Sequence, residues 1–287
     1  MECVLFVAGL AFGSFLNVCI SRIPNDESIV KPRSHCRTCG TLIHWRDNVP
    51  LLSWVVLRGR CRHCNARIPL RYPAVELLTA LLFLSCYLSF GWTPVAFKFC
   101  VFSFLLIGLI FMDAETGLLP REFTYSGIVF GLVFAWFVAT DYGATSLLLR
   151  AFGRRVPNIH WLSLLDSVLG GLIGAGFFFL AWALYYLIRK KHGLGFGDIA
   201  LMGMSGAFLG VKLVLLVIFC APLLGVLFAG LLLLRETFTP KTTAGEVREK
   251  ETSFLSREMP FGVFLGAASL GAVFFGQLLL NWYLRMI

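Results

Sequence analysis

Long apolar runs separated by polar stretches are the feature that most constrains this chain of 287 residues. The first run begins at Cys3 and ends at Ile20, and Arg22 and Pro24 close it. A run of about 20 apolar residues is the length that a helix needs to cross a bilayer. Hydrophobic residues make up 58% of the chain and charged residues only 14%, which excludes an ordinary water-soluble domain. The sequence therefore predicts an all-α polytopic membrane protein.

The positions of the apolar runs predict about eight transmembrane helices. A loop at 141–163 and a charged loop at 235–258 separate the later runs. The predicted spans are 3–20, 74–90, 95–112, 123–140, 164–188, the short segment 199–210, 211–234 and 261–283.

Residues 21–73 form the only polar insert of any size. They contain ten basic and three acidic side chains, a net charge of +7. Lysine and arginine accumulate in cytoplasmic loops, so we expect this insert in the cytoplasm and the N-terminus outside. Because the basic residues lie beside apolar spans, the positive charge indicates membrane topology, and no nucleic-acid partner is expected. The chain thus divides into a first helix at 1–20, the insert at 21–73 and a membrane domain at 74–287.

Two acidic residues lie at the ends of apolar runs. Asp113 ends the run at 95–112, and Asp198 follows two glycines in Gly195-Phe196-Gly197-Asp198. The predicted topology puts both at the cytoplasmic face, where paired carboxylates can do acid and base chemistry on water. The helix breakers beside them predict irregular backbone, which at membrane depth requires protein or a wet cavity around it. The alternative is that each is an ordinary interfacial charge at a helix end.

Two Cys-x-x-Cys pairs occur in the insert, at Cys36 and Cys39 and at Cys61 and Cys64. Two such pairs about twenty residues apart are typical of a tetrahedral zinc site with four thiolate ligands. Disulfides or a redox pair are the alternative, and a reducing cytoplasm disfavours disulfides. Four thiolates leave no open coordination position, so the predicted Zn²⁺ is structural.

Several of these motifs together resemble one enzyme family, in order along nearly the whole chain. The chain resembles the type IV prepilin peptidases, the bifunctional leader peptidases and N-methyltransferases of bacterial type IV pili and type II secretion. The stretches that carry the resemblance are Gly13-Ser14-Phe15-Leu16-Asn17-Val18, Arg22-Ile23-Pro24, the two cysteine pairs enclosing Asn48-Val49-Pro50-Leu51-Leu52-Ser53-Trp54 and Arg58-Gly59-Arg60, Arg71-Tyr72-Pro73, Glu76-Leu77-Leu78-Thr79, Asp113 with Leu119-Pro120 and Thr124, and Gly195-Phe196-Gly197-Asp198.

The resemblance implies an aspartic protease of the bacterial inner membrane with its active site facing the cytoplasm. Asp113 and Asp198 would be its catalytic pair. It would cut prepilins or pseudopilins after a glycine and then methylate the new N-terminal residue with S-adenosylmethionine. The resemblance also assigns zinc to the four cysteines and supporting roles to Gly195, Gly197, Pro260 and Gly262, the last two as a substrate-side backbone contact.

The methyl-donor site rests on the resemblance alone, because the chain has no glycine-rich dinucleotide fingerprint. Glu76 is the predicted contact to the methyl donor or the substrate amine, and the alternative is a helix-end carboxylate facing the basic insert near Arg71. Two departures from the family pattern are Arg121, where many relatives have an acid, and the long loop at 141–163. The competing functions are a membrane protease without methyltransferase activity and a non-enzymatic scaffold with a zinc-ribbon docking module.

Overall fold

The computed structural model describes residues 1–139, 143–151, 158–190, 195–238 and 260–286. Within these ranges every regular element is helical, which confirms the all-α prediction. Two 3₁₀ turns, Ile23–Asn25 and Trp45–Asn48, flank the insert's first half. The helices are α1 Glu2–Arg22, α2 Leu52–Val56, α3 Arg71–Phe90, α4 Pro94–Thr116, α5 Arg121–Phe137, α6 Gly143–Ala151, α7 Ile159–Arg189, α8 Phe196–Phe238 and α9 Phe261–Leu284.

Six helices of the described chain are long and apolar enough to cross a membrane, namely α1, α3, α4, α7, α8 and α9. The predicted span at 123–140 corresponds to α5, which is apolar but has only 17 residues. The two predicted spans at 199–210 and 211–234 both fall in α8, which has a non-helical break at Gly210.

The chain of α8 folds back on itself at Gly210, where φ is 76°. A Cβ at Gly174 of α7 would lie 2.5 Å from the Met202 carbonyl oxygen and 3.0 Å from Val214 Cγ2. In an uninterrupted helix, residues twelve apart are separated by about 18 Å, so they could not both reach one point. The two halves of α8 therefore lie side by side, and the described chain contains eight apolar helical segments where eight spans were predicted.

Small residues bring neighbouring helices into close contact. A Cβ at Gly9 of α1 would lie 2.5 Å from Ala80 Cα of α3, and one at Gly13 would lie 2.7 Å from Glu76 Cα. Helices in lipid associate through close van der Waals packing, which small residues permit. The Asn17 side chain crosses the same interface, since its amide donates to the Tyr72 carbonyl at 2.9 Å.

The core lies along α4, which packs against α1, α3, α5 and α9. Phe102 of α4 stacks on Phe208 of α8 with ring centroids 4.5 Å apart, and both side chains are fully buried. Because α4 is enclosed on several sides, the polar side chains at its two ends are held inside the protein.

The two predicted loops have different outcomes. The segment at 141–163 contains α6 and the beginning of α7, so the prediction of a loop over this whole segment is wrong. The nine residues Gly143–Ala151 form a short helix, which the sequence analysis did not predict. The predicted loop at 235–258 begins inside α8, and its residues 239–258 lie outside the described residues.

Candidate functional site

Two aspartates meet at one end of the helix bundle. Asp113 lies in the last turn of α4, which stops at Gly117, a residue in the left-handed conformation whose N–H donates to the Asp113 carbonyl at 2.8 Å. Asp198 lies in the first turn of α8. Their exposed fractions are 5% and 8%. The two carboxylates are close enough for their charges to interact, although 85 positions separate them in the sequence.

The Asp113 carboxylate is held by the first turn of α9. The backbone N–H of Val263 donates to Asp113 Oδ2 at 3.0 Å, and the N–H of Gly262 forms a second hydrogen bond. The first N–H groups of a helix have no partner within the helix and attract negative charge. Pro260 begins this helix at its N-cap with extended backbone. Gly262 therefore lies against Asp113, two residues after Pro260, and their predicted contact with substrate stays a prediction. Val263, which the sequence analysis did not predict, also binds Asp113.

Glycines allow the backbone to approach both carboxylates. A Cβ at Gly262 would lie 2.7 Å from Asp113 Oδ2, and a Cβ at Gly197 would lie 2.7 Å from Leu119 Cβ. Leu119 lies between the two glycines and packs against both. The N–H of Asp198 donates to the Gly195 carbonyl at 3.2 Å, and the Gly195 backbone also hydrogen-bonds the Asp198 carboxylate. Leu119 was part of the Leu-Pro motif, but its position between the glycines was not predicted.

The pair has the arrangement that acid and base catalysis needs. In the part of the chain that the structure describes, neither carboxylate forms an ion pair with a cation. Backbone N–H groups fix Asp113, while Asp198 sits at the start of a helix next to the exposed Gly195 and Phe196. One carboxylate can then take a proton while the other gives one, with both restrained by the backbone.

The four cysteines of the insert form a second candidate site. Each pair lies in a tight turn closed by the same hydrogen bonds, from Cys36 N to Thr41 O at 2.9 Å and from Cys61 N to Ala66 O at 2.9 Å. Each turn is also flanked by an antiparallel bridge, between His35 and Leu42 in the first and between Arg60 and Arg67 in the second. The insert therefore contains two copies of one turn.

The thiol geometry fits a metal ion with four sulfur ligands. The four sulfur atoms lie within 4.8 Å of one another, and Cys36 Sγ is 3.8 Å from Cys64 Sγ. Tetrahedral zinc with Zn–S bonds of about 2.3 Å requires sulfur atoms about 3.8 Å apart.

An ion pair connects the second cysteine turn to the rest of the insert. Arg62 donates from Nε to Asp47 Oδ2 at 2.8 Å and from a terminal nitrogen to Oδ1 at 2.6 Å. These hydrogen bonds, more than the charge itself, lower the pKa of Asp47. The ion pair therefore joins the second cysteine turn to the 3₁₀ turn Trp45–Asn48.

Glu76 connects the insert to the helix bundle. Its Oε2 accepts a hydrogen bond from the Leu51 N–H at 2.8 Å, and Ser14 of α1 also hydrogen-bonds its carboxylate. Arg71 pairs instead with Glu115 and donates to Ser21 Oγ at 2.8 Å. Glu76 therefore contacts the insert through the backbone N–H of Leu51, while Arg71 pairs with Glu115.

A buried polar cluster that no motif predicted lies at the other end of the bundle. Asp166 of α7 is fully buried and accepts hydrogen bonds from the Thr145 hydroxyl and, at 3.3 Å, from the Val211 N–H beside Gly210. Lys98 of α4 is fully buried too, and among the described residues its ammonium has no hydrogen-bond partner. The Asp166 carboxylate attracts that ammonium without touching it.

Comparison with known proteins gives matches over most of the chain. Residues 7–90 match the Bacterial Peptidase A24 N-terminal domain, and residues 100–230 match the Type IV leader peptidase family. A prepilin leader peptidase/N-methyltransferase of Myxococcus xanthus is 39% identical over 230 residues, which cover 80% of this chain and 62% of that protein. Proteins of the same name from Aeromonas salmonicida and Bacillus subtilis are 32% and 31% identical, covering 99% and 100% of this chain and 94% and 99% of their own lengths. No solved structure gives a significant match.

Proposed function

This chain belongs to the type IV leader peptidase family, and we propose that it removes the leader peptides of prepilins or pseudopilins and methylates the new N-terminal residue. The observation that carries the proteolytic half is the meeting of Asp113 and Asp198 at one end of the bundle. The names of the relatives support both halves.

In the proposed cleavage step the two aspartates act on a water molecule and the scissile carbonyl. One carboxylate takes a proton from the water as it attacks, and the other donates a proton to the carbonyl oxygen. Asp113 keeps its position during these transfers because the Val263 N–H binds its Oδ2 at 3.0 Å. Gly262 lets the α9 backbone approach Asp113, and Gly197 lets Leu119 pack beside the start of α8.

Zinc bound by Cys36, Cys39, Cys61 and Cys64 would stabilise the insert. The support for this assignment is the 4.8 Å sulfur cluster, whose donor set and spacing fit a closed tetrahedral site. A metal with four protein ligands has no position for water, so the proposed metal takes no part in proteolysis.

S-adenosylmethionine is the proposed methyl donor, and Glu76 remains the predicted contact to the donor or to the substrate amine. The carboxylate already accepts a hydrogen bond from the Leu51 N–H at 2.8 Å and is also hydrogen-bonded by Ser14, so a contact with the donor or the amine would use a lone pair that these two leave free. The insert, joined to the bundle through Glu76, is the large polar surface on which such a site can form.

The proposed location is the bacterial cytoplasmic membrane with the aspartates facing the cytoplasm. The net charge of +7 on the insert supports this orientation. The Glu76–Leu51 hydrogen bond ties the insert to α3, whose first residue, Arg71, pairs with Glu115 two residues after Asp113. The insert and the aspartates therefore lie at the same end of the bundle.

The test is an assay of the purified chain with a full-length prepilin, with and without S-adenosylmethionine, read by mass spectrometry. We expect loss of the leader in both reactions and an added methyl group only with the donor. Cleavage without methylation would identify a protease alone. An intact prepilin in both reactions would favour the scaffold function and contradict the proposal.

A further inference from the structure

The short helix α2 exposes an apolar face in the insert. Leu52, Val55 and Val56 are 60%, 64% and 66% exposed. Residues at positions i, i+3 and i+4 of a helix share one face, so these side chains form a single patch. Five residues cannot form a stable helix in water without support, so contacts on the other face must hold α2 in place.

The opposite side of α2 is fixed to the insert by hydrogen bonds. The Ser53 hydroxyl donates to the Arg46 carbonyl at 3.0 Å and accepts from the Val49 N–H at 2.9 Å. Ser53 is itself buried. The helix therefore cannot turn its apolar face inward without breaking these bonds.

Trp54 adds a second restraint on the orientation of α2. Its indole N–H donates to the Ile68 carbonyl at 3.3 Å, and Gly59 packs against its ring, where a Cβ would lie 2.8 Å from the ring. Gly59 has φ of 65°, a conformation that glycine adopts without strain. The fold thus presents Leu52, Val55 and Val56 outward as a fixed surface.

The depth of α2 follows from the residue that precedes it. Ser21, Arg71 and Glu115 form a polar layer across the ends of α1, α3 and α4. Glu76 lies five residues beyond Arg71, about 7.5 Å further along α3 on its apolar side. Side chains on a helix point back toward its N-terminus, so the Glu76 carboxylate lies nearer the polar layer than its Cα does. Because the Leu51 N–H donates to this carboxylate, the chain at Leu51 lies close to that layer, at the boundary of the apolar part of the bundle.

We propose that α2 lies in the membrane interface, with Leu52, Val55 and Val56 against lipid acyl chains and with Arg58 and Arg60 against anionic headgroups. The insert continues directly into α1 and α3, which are apolar and long enough to span a membrane, so a bilayer around them meets α2 at this depth. Arg58 and Arg60 follow α2 at once and are exposed. An apolar face beside exposed arginines is the pattern of a helix lying in an anionic lipid surface.

This proposal concerns the lipid contacts of the insert and holds whether or not the chain cleaves prepilins. A hydrophobic substrate segment is the other occupant that an apolar face can bind. The depth of Leu51 and the arginines beside α2 favour lipid.

The test places a photoreactive benzophenone amino acid at Val55 in the full chain, reconstituted in nanodiscs of phosphatidylethanolamine and phosphatidylglycerol. A matched variant carries it at Thr38, an exposed position in the first cysteine turn. After irradiation without any prepilin, mass spectrometry should find about tenfold more lipid adduct at position 55 than at position 38. Of these two positions, only position 55 lies within reach of lipid. The metal content of each variant, compared with the unlabelled chain, establishes that its insert is folded.

Two results would overturn the proposal. One is equal lipid labelling at positions 55 and 38. The other is labelling at position 55 that goes mainly to a second copy of the chain or, when prepilin is added, moves from lipid to prepilin. The double substitution Arg58→Gln and Arg60→Gln should lower the phosphatidylglycerol share of the adducts at position 55, and an unchanged share would contradict the anionic-headgroup contact.

Discussion

Both ends of the helix bundle contain buried acids, but the acids have different partners at the two ends. At one end Asp113 and Asp198 lie close enough for their charges to interact, and at the other end Asp166 lies near the Lys98 ammonium. Two helices connect the two ends, since α4 contains both Lys98 and Asp113, and α8 carries Asp198 in its first turn and breaks at Gly210 beside Asp166.

The difference shows that the partners of a buried acid indicate its role better than its burial does. Asp166 receives donors from Thr145 and Val211 and lies near an opposite charge, so it has what a stable buried carboxylate needs. Asp113 and Asp198 have each other and a few backbone N–H groups. A carboxylate pair of that kind is typical of catalytic sites.

The largest effect is expected at the carboxylate pair. Asp113→Asn or Asp198→Asn should each lower the rate of prepilin cleavage by about 10³-fold or more, because an amide cannot exchange the proton that either role requires. The matched control is Asp47→Asn, which breaks an exposed ion pair that contributes little and should keep the rate near that of the wild type. Near-normal cleavage by either variant would show that the substituted aspartate is not one of the catalytic acids.

Removal of the metal should disturb only the end that carries the insert. Cys36→Ser takes away one of four ligands, and structural zinc couples directly to folding. We expect the bound zinc to fall from one per chain to a small fraction, and amide exchange in the insert to become fast while α7 and the second half of α8 stay protected. Zinc content would be read by atomic emission. A full complement of zinc in the variant, or equal deprotection at the Lys98 end, would contradict this.

A double-mutant cycle tests the charge pair at the other end. Lys98→Met or Asp166→Asn alone removes one charge of a pair that is not in direct contact, so each should cost less stability than the about 3–5 kcal/mol of a broken buried salt bridge. The double variant removes both charges and should recover most of that loss. The free energy of unfolding in mixed detergent is measured for the wild type and the three variants. Losses that simply add would show that the two groups are not coupled.

The smallest effect is expected from the approach of α9 to Asp113. Gly262→Ala puts a Cβ 2.7 Å from Asp113 Oδ2, so the carboxylate or the helix must shift. We expect about a tenfold loss in the cleavage rate, which corresponds to about 1.4 kcal/mol, with little change in thermal stability. Gly271→Ala on the same helix is the control, since a Cβ there meets nothing within 4 Å. Equal losses of cleavage rate in both variants would show that the effect comes from a change in α9 and not from the contact with the Asp113 carboxylate.

Local patterns made the insert predictable. The cysteine spacing alone identified the four-thiol cluster, because each turn is closed by bonds within a few residues of its cysteines. The apolar runs likewise predicted every long helix, since the length of an apolar run decides whether it can cross a membrane.

The details of the aspartate site depend on packing between distant segments. Val263 lies 150 residues from the aspartate that it binds, and no local pattern indicates which helix will arrive there. Lys98 and Asp166 occur singly in apolar stretches, where an isolated charge looks the same whether it faces an interface or a partner. Their pairing depends on the packing of α4 against its neighbours, which one sequence does not encode in any short motif.

The reversal at Gly210 has a consequence for the bilayer itself. The first half of α8, from Phe196 to the break, has roughly 14 residues and is about 21 Å long, while the hydrocarbon layer is about 30 Å thick. At a lipid surface a mismatch of this size would thin the bilayer, but residues 201–210 are all buried among the neighbouring helices. The longer helices around this segment therefore set the thickness of the layer, and Asp198 and Asp166, at its two ends, lie closer together across the membrane than the two faces of the bilayer do.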